Sequence, residues 1–152
     1  MQIFVDADAF PKDLRDILFK AAARKKVKVI LVADQRIRIP DSELISSIAV
    51  PGGQDAADHK IVELMGKGDL VITADIPLAD RAVQKGGYAL NPRGEFYTES
   101  NIKHKLAMRN LMQDLRSEGM DLGGPPPFND KARQDFTNKL DAFITKHTKN
   151  LK

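Results

Sequence analysis

The chain contains no cysteine. Disulfides, thiolate zinc centres and cysteine nucleophiles are therefore excluded, and a reducing cytoplasm fits that composition. No stretch approaches the roughly 18 consecutive apolar residues that a membrane span requires. The N-terminus has no basic start followed by a long apolar stretch, so no secretory signal is expected and the expected location is the cytoplasm. Internal repeats and low-complexity linkers are missing as well. Neither sign of charge dominates: 24 Lys and Arg stand against 21 Asp and Glu, a net charge of +3. So mild an excess permits a polyanionic partner such as RNA or DNA without demanding one.

What is present is ordinary for a globular protein, with 42% hydrophobic and 30% charged residues. A length of 152 residues is enough for one domain with a substantial core, 1–152. Strand and helix patterns alternate along it. QIFV (2–5) reads as a short strand. Residues 12–25 form a helix that carries Leu14, Ile17, Leu18, Ala21 and Ala22 at helical spacing, behind Pro11, which a first turn tolerates. VKVILV (27–32), SSIAV (46–50), LVIT (70–73) and YAL (88–90) read as further strands, rich in β-branched residues. Helices are predicted over 55–65 and 77–85, and NPRG (91–94) is a turn. The last third, about 99–147, is helical. A helix over 99–118 carries Ile102, Leu106, Leu111, Met112 and Leu115 on an amphipathic face, and a second covers 130–147. Between them GMDLGGPPPF (119–128) is a loop anchored by Phe128, and the lysine-rich end is expected to fray. Alternation with short connections predicts an α/β fold: a mostly parallel central sheet flanked by helices, with helices at the C-terminus.

In such sheets ligands bind beyond the carboxyl ends of the strands, and that is where aspartates fall. Asp6 and Asp8 follow the first strand, and two residues apart on an extended segment they point to one side. Asp55 and Asp58 follow the third strand and are three apart at a helix start, so they share a face. Asp75 follows the fourth strand, with Asp80 five residues on, where Arg81 can balance it. Two unit charges 4 Å apart repel by about 4 kcal/mol at an effective dielectric of 20. A convergent set therefore needs shared protons, basic neighbours or a divalent cation. Oxygen-only ligation favours Mg²⁺ or Mn²⁺. The plainer account is that Asp8, Asp55 and Asp75 each cap a helix.

The blocks DADAFP, VPGGQDAADHKIVE, GDLVITADIPLADRAV, NPRGEFYTESNI and GGPPPF together resemble the bacterial YaiI/YqxD (UPF0178-type) family of uncharacterised proteins, in order and over essentially the whole chain. That family in turn resembles the PIN-like nuclease superfamily. The resemblance implies a three-layer PIN-like fold and an Mg²⁺- or Mn²⁺-dependent nuclease acting on RNA or DNA. It implies Asp6 as the first acid of the site and Asp8 as the polar residue that follows it. Thr73 and Asp75 take the place of a T-x-D element, and the middle acid comes from the region of Asp55 and Asp58, either of which fits. Where the family has Cys after Asp-Ala-Asp-Ala, this chain has Phe10, so no thiol at that position is essential here.

Basic residues supply the second half of a nucleic-acid site. Arg93 in the NPRG turn can grip a phosphate. Lys103, Lys105 and Arg109 at the start of the long helix can track a backbone, and Tyr97 can stack on a base. A solvated helix face, an exposed turn arginine and a packing tyrosine are the plain alternatives. His59, His104 and His147 read as scattered surface residues. Two other functions compete: a non-catalytic PIN-like module that binds RNA or protein, and a phosphatase of the haloacid dehalogenase type with Asp6 as nucleophile. Phe10 weakens the latter, since Thr or Val belongs at that place.

Overall fold

A computed structural model describes residues 1–123 and 128–148. One sheet organises it. Strands β1 (Gln2–Asp6), β2 (Lys28–Ala33), β3 (Ile45–Ala49), β4 (Leu70–Ile72), β5 (Tyr88–Leu90) and β6 (Phe96–Tyr97) lie in the order β3-β2-β1-β4-β5-β6. The first five are parallel, in registers such as Phe4 opposite Ile30 and Val71, and β6 returns antiparallel with Tyr97 opposite Ala89. Ile3, Phe4 and Val5 are all buried because each face of β1 is covered. A sheet sealed on both faces calls for continuous apolar strands rather than alternation.

The five α-helices are α1 (Lys12–Lys25), α2 (Gln54–Leu64), α3 (Ile76–Gln84), α4 (Glu99–Ser117) and α5 (Asp130–Thr148). On one face Ile3, Val5, Leu31, Leu70, Ile72 and Leu90 meet Leu14 and Leu18 of α1 and Phe136 and Leu140 of α5. On the other, Phe4, Val32, Val71 and Ala89 meet Ala57 and Ile61 of α2 and Leu78, Ala79 and Ala82 of α3. The result is the three-layer α/β arrangement that the alternation predicts.

Most boundaries move by one residue, and two differences are larger. The NPRG turn begins a hairpin, so β6 is an additional strand. Gly94 makes this turn possible, with φ at +90° and a position where a Cβ atom would sit 2.7 Å from the carbonyl carbon of Asp135 in α5. Only a residue without a side chain allows that approach. The second difference concerns α4, which packs on α3 yet buries only Ile102. Met108 and Leu111 remain 39% and 49% exposed, and Met112 and Leu115 are half-buried. Most of the amphipathic stripe thus stays outside the core.

Of the GGPPPF segment, residues 124–127 lie outside the described residues, as do residues 149–152, on which the expected fraying of the lysine-rich end falls. Phe128 does pack against the core, with the guanidinium groups of Arg93 and Arg133 at 6.0 and 5.8 Å from its ring. Near the end of α5, His147 stacks on Phe143 at 4.1 Å and meets Tyr88 edge-on at 4.9 Å. Burial, and then the charge of Lys146, push this imidazole below its ordinary pKa. The depressed value means that the unfolded chain takes up the proton first. Stability is therefore full above about pH 6.5 and declines as pH falls through that value toward the lowered one. His147→Phe should lose that part of the acid destabilisation. The check is urea unfolding of both proteins at pH 8 and pH 5.5; equal pH sensitivity would discard the linkage.

Candidate active site at the carboxyl edge of the sheet

The chain leaves β1 toward β2 on one side, while β4 pairs on the other. The crevice between the carboxyl ends of β1 and β4 is thus the topological switch point, the preferred ligand position of an open α/β sheet. Asp6 closes β1 and Thr73 follows β4 directly. Alternation along each strand turns both toward the α2/α3 face, the face that Phe4 and Val71 also occupy. Both are buried, at 2% and 1% exposure. The Thr73 hydroxyl donates to Asp6 Oδ2 at 2.9 Å, and its oxygen accepts the amide N–H of Asp75 at 2.9 Å. One hydroxyl thereby fixes the end of β1 to the start of α3.

Asp75 is the N-cap of α3 and accepts the Leu78 amide N–H through Oδ1 at 3.1 Å. The capping account therefore holds for Asp75. It does not hold for Asp8 or Asp55, because Pro11 and Gly53 take the cap positions of α1 and α2. Asp6 and Asp8 also part. A 3-10 turn over Ala7–Ala9 ends the extended conformation, so Asp6 is buried while Asp8 is exposed and accepts the Asp34 amide N–H at 2.9 Å. Asp58 is buried at 7% in α2, whereas Asp55, in the first turn, is exposed. Asp80 accepts from Gln84 one turn further along α3 at 3.3 Å, and Arg81 contacts His59 Nδ1 at 3.0 Å instead of balancing it.

Two residues at this edge escaped the sequence reading. Asp34 directly follows β2, in the same strand-end position as the others, and its Oδ1 accepts the Gly53 amide N–H at 3.3 Å. The strand-end rule, applied to VADQ, would have found it. Arg15 reaches back from α1 to donate to the Ala7 carbonyl at 3.5 Å, and its Nε is buried without a partner. Nothing in the local sequence signals that contact.

The basic candidates divide. His104, Lys105 and Arg109 join Ile76, Tyr97, Met108 and Met112 around a groove of about 330 Å³, which begins one residue beyond Asp75. Lys105 lies 5.8 Å from the Tyr97 ring and pairs with Glu95 at 2.8 Å. Tyr97 is buried, and desolvation pushes its hydroxyl above the usual pKa. Lys103 lines a different depression, with Glu99 and Gln84. Arg93 sits in the turn after β5, at the same edge as Asp6.

Among the described residues, no three His, Asp or Glu side chains stand where they could share one ion. The compact carboxylate pocket expected from the spacing is thus not formed among the described residues, and Asp6, Asp8, Asp75 and Asp80 each accept a hydrogen bond from a separate hydroxyl or amide. The donor chemistry still suits Mg²⁺, which takes oxygen ligands only. It commonly uses one or two carboxylates and completes its shell with water and substrate phosphate. Asp6 and Asp75, linked through Thr73, offer that minimal set.

Similarity to known proteins runs over the full length. Residues 4–146 match the family model described as the uncharacterised YaiI/YqxD family. A UPF0178 protein of Maridesulfovibrio salexigens is 59% identical over 96% of this chain and 97% of its own. One from Syntrophotalea carbinolica is 54% identical over 97% and 99%, and one from Shewanella amazonensis is 51% identical over 96% and 98%. No solved structure matches, and among the described residues no helix is long and apolar enough to cross a membrane. With a matched family model spanning nearly all of it, this chain belongs to the YaiI/YqxD family.

Proposed function

We propose that this protein is an Mg²⁺- or Mn²⁺-dependent nuclease acting on single-stranded RNA or DNA at the β1/β4 crevice. The observation that carries this reading is the buried Asp6 carboxylate, hydrogen-bonded to Thr73 across the topological switch point. Its resemblance to PIN-like nucleases, and the groove with three basic side chains beside Asp75, support the same reading. When bound, the cation supplies charge neutralisation at the phosphodiester and activation of the attacking water. Asp6 and Asp75 would hold it, and Asp8 and Asp58 would add negative potential. Thr73 keeps Asp6 in one orientation. Lys105 and Arg109 neutralise phosphates of the strand along the groove, and Arg93 does so from the turn between β5 and β6.

The site member whose two roles are easiest to separate is Asp75. Asparagine caps a helix about as well as aspartate, whereas alanine costs about 1 kcal/mol. Asp75→Asn is therefore expected to keep wild-type stability and to lose Mn²⁺ affinity and RNA cleavage, while Asp75→Ala loses stability as well. Unchanged Mn²⁺ binding and unchanged cleavage in Asp75→Asn would reduce this residue to a cap and remove the nuclease reading.

The absence of a three-acid group among the described residues favours one alternative, a module that binds RNA or a protein without cutting. It predicts binding that survives chelation of divalent ions. The phosphatase reading is weaker. A nucleophilic carboxylate must meet phosphorus in line, and Asp6 at 2% exposure lacks that approach, whereas an ion needs only a lone pair.

A further inference from the structure

Helix α4 carries an apolar stripe that the described residues cover only in part: Met108 and Leu111 are exposed, and Met112 and Leu115 are half-buried. Met108, Leu111, Met112 and Leu115 follow one another at steps of three, one and three residues, which places them along one side of the helix. Ile102, the residue α4 buries against the domain, lies on another side. At 100° per residue, Arg116 borders the stripe on one flank and Asp114 and Glu118 border it on the other. None of these three side chains makes an ion pair or hydrogen bond with the described residues. An amphipathic helix that leaves its apolar side in water and its bordering charges unmatched is built to meet something.

The charge pattern selects the occupant. A stripe with a basic border and an acidic border is complementary to itself when two copies run parallel about a two-fold axis along the helices. Arg116 then faces the partner's Asp114 and the partner's Glu118. Antiparallel pairing instead sets basic border against basic border, Arg116 opposite the partner's Lys105 and the partner's Arg109, and is repelled. We infer that α4 is a homodimer interface, in which two copies pack Met108, Leu111, Met112 and Leu115 together with the helices parallel and Arg116 paired to the acidic border opposite. Three turns of helix bury an area in the small class, below about 1,200 Å² in total. The dimer is accordingly weak and concentration-dependent, with a micromolar dissociation constant. Met108 and Met112 also line the groove beside Lys105 and Arg109, so the dimer covers part of that groove, while sedimentation reads association whatever the protein's activity.

Sedimentation equilibrium over a range of concentrations tests it. Wild type should pass from monomer to dimer. Leu111→Glu should stay monomeric with an unchanged circular dichroism spectrum, because Leu111 is 49% exposed. Arg116→Glu, and separately Asp114→Lys with Glu118→Lys, should each weaken the dimer by about tenfold or more. Mixing those two proteins should restore association, now as a heterodimer. A wild-type protein that stays monomeric throughout overturns the proposal and assigns the stripe to another partner. A dimer that survives Leu111→Glu overturns it by placing the interface elsewhere. Failure of the mixture to associate, when each variant alone is weakened, overturns the parallel arrangement.

Discussion

Asp6→Asn is expected to lower Mn²⁺-dependent cleavage of single-stranded RNA by about 10²- to 10³-fold, the scale on which removal of one essential electrostatic group acts. The fold should tolerate the change. Asparagine has nearly the same shape, and its amide oxygen can still accept the Thr73 hydroxyl that Asp6 Oδ2 accepts at 2.9 Å. What disappears is the charge. The carboxylate is buried at the end of the central strand, where low dielectric strengthens its attraction for a cation. Thr73→Val leaves that charge in place and removes the hydroxyl that positions it, together with the acceptor of the Asp75 amide N–H. A loss of about 10- to 100-fold is expected, as for groups that orient a ligand from behind. Single-turnover cleavage at saturating Mn²⁺, beside urea unfolding of each variant, separates chemistry from stability. Full cleavage by Asp6→Asn would end the case for this crevice as an active site.

Phe136→Ala should lower stability by about 3–5 kcal/mol, the range for removal of a fully enclosed aromatic side chain. Phe136 is inaccessible to solvent and its ring lies 5.9 Å from that of Phe10. It belongs to the cluster in which α5 meets α1 and the sheet. Its loss leaves a cavity that neither the sheet nor α1 can close, because both are held by strand pairing and by Leu14 and Leu18. Leu111→Ala, on the exposed face of α4, is the control and should change stability by no more than about 0.5 kcal/mol at concentrations dilute enough to keep the protein monomeric. Equal midpoints of urea unfolding for the two variants would contradict this account of the core. Phe10 takes part in the same contact, which gives this residue of the DADAFP block a place in the core.

The layers of the fold were legible because burial leaves a periodic trace. IFV, VILV and LVI are continuous apolar runs, as strands covered on both faces must be, and Leu14, Leu18, Phe136 and Leu140 repeat at helical spacing. Strand β6 was not legible. Two residues carry no period, and their pairing depends on Gly94 fitting against α5. In the site, the placement of Asp6, Thr73 and Asp75 at strand ends was readable from order alone. The division between Asp6 and Asp8 was not, because extended geometry predicts a shared side and the 3-10 turn that separates them is a local choice of a few dihedral angles. The amphipathic pattern of α4 was legible as a stripe, but its burial was not, since a pattern records that a face avoids water without recording what covers it.

By itself, the sequence determined the parallel α/β architecture, the family, and a set of acids lying where strands end. All of these follow from residue order and local periodicity. Only the tertiary structure decided that β1 and β4 are neighbours, that Thr73 joins Asp6 to Asp75, that Asp34 meets Asp8, and that no three acids among the described residues gather around one ion position. These are contacts between segments distant in the chain. Their distances depend on how layers stack and how turns close, and no pairwise spacing along the sequence encodes that.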